Sequence, residues 1–293
     1  MQFGIQLPTY WSDYGDTGAK HTLERAASLC SDLEFDSLWC NDHVITPAQG
    51  RPVGTIVEPL ITLASVAHLA PNLKLGTSVL VLPQRNAIVV AKQAAALDLL
   101  TDGRLMLGIG VGWNEPEFDF LNADFSRRGR HTDEAIQIMR TLWSEGNATF
   151  HGEFYRVEDA VFEPKPQQKR IPLWIGGSSP AAIRRAARFG DAWSPFGIGV
   201  DAFRDGAALL HEEAGNRPSP LLAAHLMLNI PASAGEKAAG HVNGSPVQVA
   251  GVLKEYQAAG LQALICGIEA HDFEDWQRQL HIIAEEIRPQ LRQ

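Results

Sequence analysis

The sequence predicts a single (β/α)8 TIM barrel, and three observations predict it. Eight short apolar runs alternate with eight helical patterns along the chain, and the alternation never breaks. A chain of 293 residues with 45% hydrophobic composition can bury a core of that size. The run GTSVLVLPQRNAIVVAKQAAALDLLTDGRLMLGIGVGW, Gly76 to Trp113, reads by itself as a complete β-α-β unit, the building block of a parallel sheet with helices outside it.

In chain order, strand Phe3–Leu7 leads to helix His21–Leu33, and strand Ser37–Asn41 to helix Val57–Leu69. The β-branched strand Leu73–Leu82 stops at Pro83. Helix Ile88–Leu100 follows, with Ile88, Val89, Ala91, Ala95, Leu99 and Leu100 on one broad apolar stripe. Strand Leu105–Ile109 precedes helix Thr132–Ser144, strand Pro172–Ile175 precedes helix Pro180–Phe189, and strand Ala192–Ser194 precedes helix Asp201–Glu213. Strand Leu222–Ile230 with helix Pro246–Ala259, then strand Ala263–Cys266 with helix Phe273–Ile287, complete the eight pairs. Gly103, Gly190, Gly215 and Gly260 fall just behind the last periodic residue of a helix, where glycine ends helices well.

One connection is too long for a plain barrel loop. Residues 113–170 hold a helix and a hairpin, ATFHGEFYRVEDAVF, before PKPQQKRIP. We treat this stretch as an insertion after the fourth strand within one domain, 1–293. It either shapes the active site or serves as a dimerisation arm.

A barrel carries its functional face at the carboxyl ends of its strands. Those ends hold Gln6, Asn41-Asp42-His43, Thr77-Ser78-Val79, Gly110 to Glu115, Gly176-Gly177-Ser178-Ser179, Asn229 and Gly267. This polar and glycine-rich set suits a wide ligand approached closely by backbone. In LWIGGSSPAAIRRAARFGDAW a strand ends in two glycines, Ser178 or Ser179 can cap the next helix, and Pro180 stands where a first-turn proline is favoured. The N–H groups of that helix start make a phosphate or carboxylate site. GIGVGW is no dinucleotide loop, because no helix opens directly behind its glycines and its strand is the fourth.

Asp42-His43 reads two ways. His43 can exchange a proton while Asp42 fixes its tautomer or meets a cofactor carbonyl; alternatively the two make structural hydrogen bonds at a strand end. Glu115 is a second candidate acid, or simply a negative charge at a helix start. Arg127-Arg128-Gly129-Arg130 reads as a solvated loop within reach of an anionic tail. No spacing suits a metal site. The net charge of -9 disfavours nucleic acid or an anionic membrane as partner. No apolar run reaches spanning length, MQFGIQLPTYW lacks the pattern of a signal peptide, and three scattered cysteines fit a reduced, cytoplasmic setting.

Four pieces together resemble the luciferase-like monooxygenase superfamily, and within it most closely the coenzyme F420-dependent oxidoreductases. They are SLWCNDHV, the Gly76–Trp113 run, RGRHTDEAIQIMRTLW with FHGEFY, and PLWIGGSSPAAIRRAARFGDAW. The resemblance implies a flavin or deazaflavin ring over the strand ends. It implies a non-prolyl cis peptide at Ser78–Val79 behind that ring, with Thr77, Gly110 and Gly112 beside it. Asp42 matches the position at the ring's polar edge, and His43 the one that handles a proton. Glu115 aligns loosely with an acid of sugar-phosphate-oxidising relatives, and Gly176, Gly177 and Ser178 match the backbone that holds cofactor phosphate. Relatives are commonly dimers, which makes a homodimer the expectation.

The leading reading is therefore an oxidoreductase moving a hydride between coenzyme F420 and a small organic substrate, with His43 and Glu115 serving the proton. The second is an FMN-dependent monooxygenase fed by a separate flavin reductase. A third is a barrel that stores or senses flavin without turnover. The anionic tail of F420 would call on Arg85, Lys92, Arg127, Arg128 and Arg184. No motif in the sequence names the substrate.

Overall fold

The structure, a computed structural model, describes residues 1–11, 14–48, 56–144, 146–231, 241–270 and 272–291. The first half of the chain runs β1 (Gln2–Gln6), α1 (Gly18–Asp32), β2 (Ser37–Cys40), α2 (Pro59–Val66), β3 (Lys74–Thr77), β4 (Leu80–Val81), α3 (Ala87–Leu100), β5 (Leu105–Gly110) and α4 (Glu115–Phe120). Next come α5 (Arg128–Ser144), the hairpin β6 (Asn147–His151) and β7 (Arg156–Val161), β8 (Leu173–Gly176), α6 (Pro180–Phe189), β9 (Ala192–Ser194) and α7 (Val200–Ala214). The last part holds β10 (Leu221–Asn229), β11 (His241–Asn243), α8 (Pro246–Ala258), β12 (Ala263–Ile268) and α9 (Phe273–Ile282).

Eight of these strands pair in parallel, in the order β1-β2-β3-β5-β8-β9-β10-β12, and β12 returns to β1, so the sheet closes on itself. This is the (β/α)8 barrel the sequence predicts. Closure removes every free edge from those strands. The interior is packed by Trp39, Trp174, Ala192, Ala223, Ala263 and Ile265, with the two indoles 4.7 Å apart. Gly4 and Gly76 leave the space that Trp39 fills, since a Cβ on either would lie 2.2–2.3 Å from its ring atoms. The larger core lies between the barrel and its helices. Among the described residues no helix is long and apolar enough to cross a membrane.

The expected elements recur with three differences. The single strand expected over Leu73–Leu82 is broken into β3 and β4. The last helix ends at Ile282 and widens into a π turn over Ile283–Ile287. Within 113–170, α5 begins at Arg128 and is the barrel's own fourth helix: it packs on α3, and the Trp143 indole N–H donates to the Ala91 carbonyl. What exceeds a plain connection is α4 and the hairpin.

The hairpin is pinned to α5 by one carboxylate. Glu134 accepts hydrogen bonds from the backbone N–H groups of Glu153, Phe154 and Tyr155 at 2.8, 2.7 and 2.7 Å. The Tyr155 hydroxyl in turn accepts the Ala87 N–H that opens α3. Glu134→Ala strips three donors of a charged acceptor, so urea denaturation should register a loss of about 1–2 kcal/mol, discounted for partial exposure. An unchanged midpoint would mean that packing and the remaining polar contacts, among them Arg127 and Arg130 with Glu153 and His131 with the Tyr155 hydroxyl, hold the hairpin without Glu134.

Candidate active site

The third barrel strand breaks at a cis peptide bond between Ser78 and Val79, the bond the family resemblance implies. The break is held on both sides. The Ser78 N–H donates to the Cys40 carbonyl (2.7 Å), and the buried Thr77 hydroxyl donates to the Gly108 carbonyl (2.8 Å). A Cβ on Gly108 would fall 1.7 Å from the Thr77 carbonyl oxygen, so only glycine lets the two strands approach here. The Val79 side chain then lies over Gly110 and Gly176, where added Cβ atoms would meet its methyls at 2.4 and 2.6 Å. The openness of those two glycines is thus taken up by the protein's own valine. Gly112 adopts φ 77° and turns the chain toward α4, fitting between Val81 and Phe118.

His43, just past β2, has one nitrogen committed. Its Nδ1 lies 3.1 Å from Oε2 of Glu117, while Oε1 of Glu117 accepts the Val44 N–H at 2.8 Å and the Ile45 N–H at 3.4 Å. Glu117 is buried, and burial opposes its ionisation. The hydrogen bond and charge of His43, with the two N–H groups, outweigh that and hold the carboxyl below its ordinary value. With Nδ1 facing a carboxylate, the His43 ring is oriented and its Nε2 is left to act as base or acid.

The expected partners of His43 stand elsewhere. Glu115 is exposed in the first turn of α4, two residues before the side chain that makes the contact. Asp42 does not fix the histidine's tautomer: its buried carboxylate accepts the Val81 N–H (3.0 Å) and a two-pronged contact from Arg85 (2.7 and 3.2 Å). Arg85 also reaches Glu58 at 3.2 Å. Burial alone would lower the Arg85 pKa, but the two carboxylates raise it. Asp42 therefore ties the end of β2 to β4 through the Val81 N–H, and to Arg85 beyond it through an ion pair.

On the opposite side of the mouth stands His225, near the middle of β10 and 3% exposed. Its Nδ1 lies 2.9 Å from the Ser78 hydroxyl and its Nε2 lies 2.8 Å from Oε1 of Gln6. Burial pushes its pKa down to about 3, so the ring is neutral at physiological pH. Ser194 ends β9 one alternation beyond the inward-facing Ala192; its buried hydroxyl has no hydrogen-bond partner among the described residues. Two exposed aromatic rings stand over the histidines. Trp113 is edge-on to His43 at 6.1 Å, and Phe196 is edge-on to His225 at 4.9 Å.

The turn before α6 forms as the sequence predicts. Ser179 caps the helix, accepting the Ala182 N–H at 3.2 Å, and Pro180 occupies the first turn. Gly177 (φ 101°) and Ser178 are exposed beside it, and the Gly177 carbonyl is fixed by the Trp193 indole N–H. The cations considered for an anionic tail each have an internal partner. Arg85 has Asp42 and Glu58, Lys92 the Glu163 carbonyl, Arg127 Glu153, Arg128 the Phe125 carbonyl, and Arg184 Glu213.

Glu117, His225 and Ser194 were outside the residues singled out from sequence. His225 leaves a legible signal, a histidine on the inward period of an apolar strand with Ala223 and Met227. Glu117 leaves none beyond its neighbour Phe118, whose burial orients α4.

Residues 1–243 match the luciferase-like monooxygenase family. An F420-dependent glucose-6-phosphate dehydrogenase of Kineococcus radiotolerans is 34% identical over 176 residues, covering 58% of this chain and 51% of that protein. The chain spans about half the length of the curated relatives it matches. Among solved structures, a monooxygenase from Streptomyces bottropensis superposes with TM-score 0.86 at 19% identity, over 99% of this chain and 100% of that one. An F420-dependent secondary alcohol dehydrogenase superposes with TM-score 0.83 at 18% identity, over 100% and 99%.

Proposed function

The chain belongs to the luciferase-like monooxygenase family, and on that premise we propose that it moves a hydride between coenzyme F420 and a small, largely apolar organic substrate. The observation that carries this reading is the carboxylate-held His43 at the barrel mouth beside the Ser78–Val79 shelf. The F420-dependent activity named for the Kineococcus relative favours the deazaflavin.

The residues fit a planar ring with a phosphate on two counts. The Ser194 hydroxyl is a buried polar atom without a partner among the described residues, and the exposed turn at Gly177-Ser178 opens helix α6 toward an anion. Once bound, F420 supplies the hydride chemistry at its ring. Val79 and the backbone at Ser78 would support the ring, and the N–H groups opening α6, with Gly176, Gly177 and Ser178, would hold the phosphate. His43 holds or releases the substrate proton at Nε2, and Glu117 keeps the imidazole aimed. Trp113, Phe196, Val44 and Ile45 offer the substrate exposed apolar surface and exclude water. The exposed Ile61 of α2 and Val89, Leu99 and Leu100 of α3 give a homodimer an apolar face to cover.

Parallel fluorescence titrations of the protein with F420 and with FMN test the reading. Micromolar binding of F420 is expected. Binding of FMN with none of F420 replaces it with the second reading, a monooxygenase supplied with reduced flavin by a separate reductase.

A further inference from the structure

His225 takes no part in the proton handling assigned to His43, yet it is a buried polar side chain at the barrel mouth, 3% exposed. Its two ring nitrogens are both committed, to Ser78 at 2.9 Å and to Gln6 at 2.8 Å, and the Phe196 ring closes over its face. Three strands meet in this chain of contacts: β1 supplies Gln6, the break after β3 supplies Ser78, and β10 supplies His225.

The hydrogen-bond inventory fixes its direction. The Gln6 contact is made by an amide oxygen, which only accepts, so His225 carries its proton on Nε2. Nδ1 is then a bare lone pair, and only the Ser78 hydroxyl can supply the proton between them. Ser78 therefore has no proton to offer a ligand, and toward one its oxygen can only accept.

We propose that His225 is a positioning residue that, acting through Ser78, makes the cofactor shelf a hydrogen-bond acceptor, so that the shelf selects a ring edge presenting an N–H or a polarised C–H. This rests on the cofactor reading above. A carbonyl or a bare ring nitrogen set against Ser78 would face lone pair against lone pair.

Two measurements test it. In the nitrogen NMR spectrum of the labelled, ligand-free protein, His225 should show a protonated Nε2 and an unprotonated Nδ1; the reverse assignment overturns the proposal whatever the protein binds. For binding, His225→Leu should weaken F420 by about tenfold, the worth of one hydrogen bond. His225→Asn, whose amide oxygen can stand where Nδ1 stood, should stay within about threefold of the parent. In a Ser78→Ala background, His225→Leu should cost nothing further. Melting temperatures report folding separately. An Asn variant as weak as the Leu variant, or an equal loss without Ser78, overturns the relay. Parent protein that binds neither F420 nor FMN removes the cofactor reading, and with it the shelf's role, while the tautomer result stands by itself.

Discussion

His43→Ala is expected to lower turnover by about 10²-fold or more, close to 2.7 kcal/mol of barrier, while F420 affinity stays within about threefold. The loss follows from geometry. Glu117 orients the ring through Nδ1, and the proposed reaction therefore relies on Nε2. Glu117→Gln tests the same unit from the other end. Its amide can still meet the Val44 and Ile45 N–H groups through oxygen, but its NH2 would then face Nδ1 and force the proton onto Nε2. Turnover should fall by about tenfold to 10²-fold with the fold intact. Steady-state kinetics on the two variants and their double mutant decide it. If the pair acts as a unit, the double mutant is no worse than His43→Ala. Unchanged turnover in His43→Ala removes the histidine from the mechanism.

The depressed carboxyl pKa of Glu117 also carries a stability signature. A carboxyl whose folded pKa lies below its unfolded value binds fewer protons in the native state. The stabilisation is therefore present above the ordinary value of 4.5 and lost as pH falls through the lower folded one. The stability gap between the parent and Glu117→Gln should be full at neutral pH and shrink below that point.

The largest structural effect is expected at Gly108. Alanine there puts a methyl 1.7 Å from the Thr77 carbonyl oxygen, and that oxygen belongs to a backbone held by pairing with β2. Neither side can yield, so the loss should reach or exceed about 3 kcal/mol, the upper end for overpacking. Gly110→Ala meets only a Val79 methyl at 2.4 Å. Its cost should be smaller and largely relieved by Val79→Ala in the same chain. Urea denaturation of the four variants reads both results. A stable Gly108→Ala protein would show that β3 and β5 are not in close contact at this point.

The barrel was legible in the sequence because its signals are local. Strand and helix periodicity, Pro83 at the strand end, the Ser179–Pro180 cap and the glycines behind helix ends each act within a few residues. The strand ends follow from that reading once the fold is assumed, which is how His43, Ser78 and the Gly177 turn came into view. Local reasoning failed where a side chain's partner is distant. Asp42 could fix the tautomer of His43, meet a cofactor carbonyl or make structural hydrogen bonds; the pairing of β2 with β3 decides for structural bonds by bringing it Arg85, 43 residues on. Glu115 was preferred by loose alignment, whereas the winding of α4 points Glu117 at the histidine.

The sequence by itself determined the order of elements, the barrel face on which the candidate site lies, and the place of His43 at a strand end on that face. The tertiary structure alone decided the partners: Glu117 for His43 across 74 residues, and Ser78 and Gln6 for His225 across 147 and 219. It also decided that Gly110 and Gly176 make room for Val79. The physical reason is common to all three. Periodicity records which face of an element is buried, but which residues meet across a closed barrel is set by the register between strands, and no local pattern carries that information.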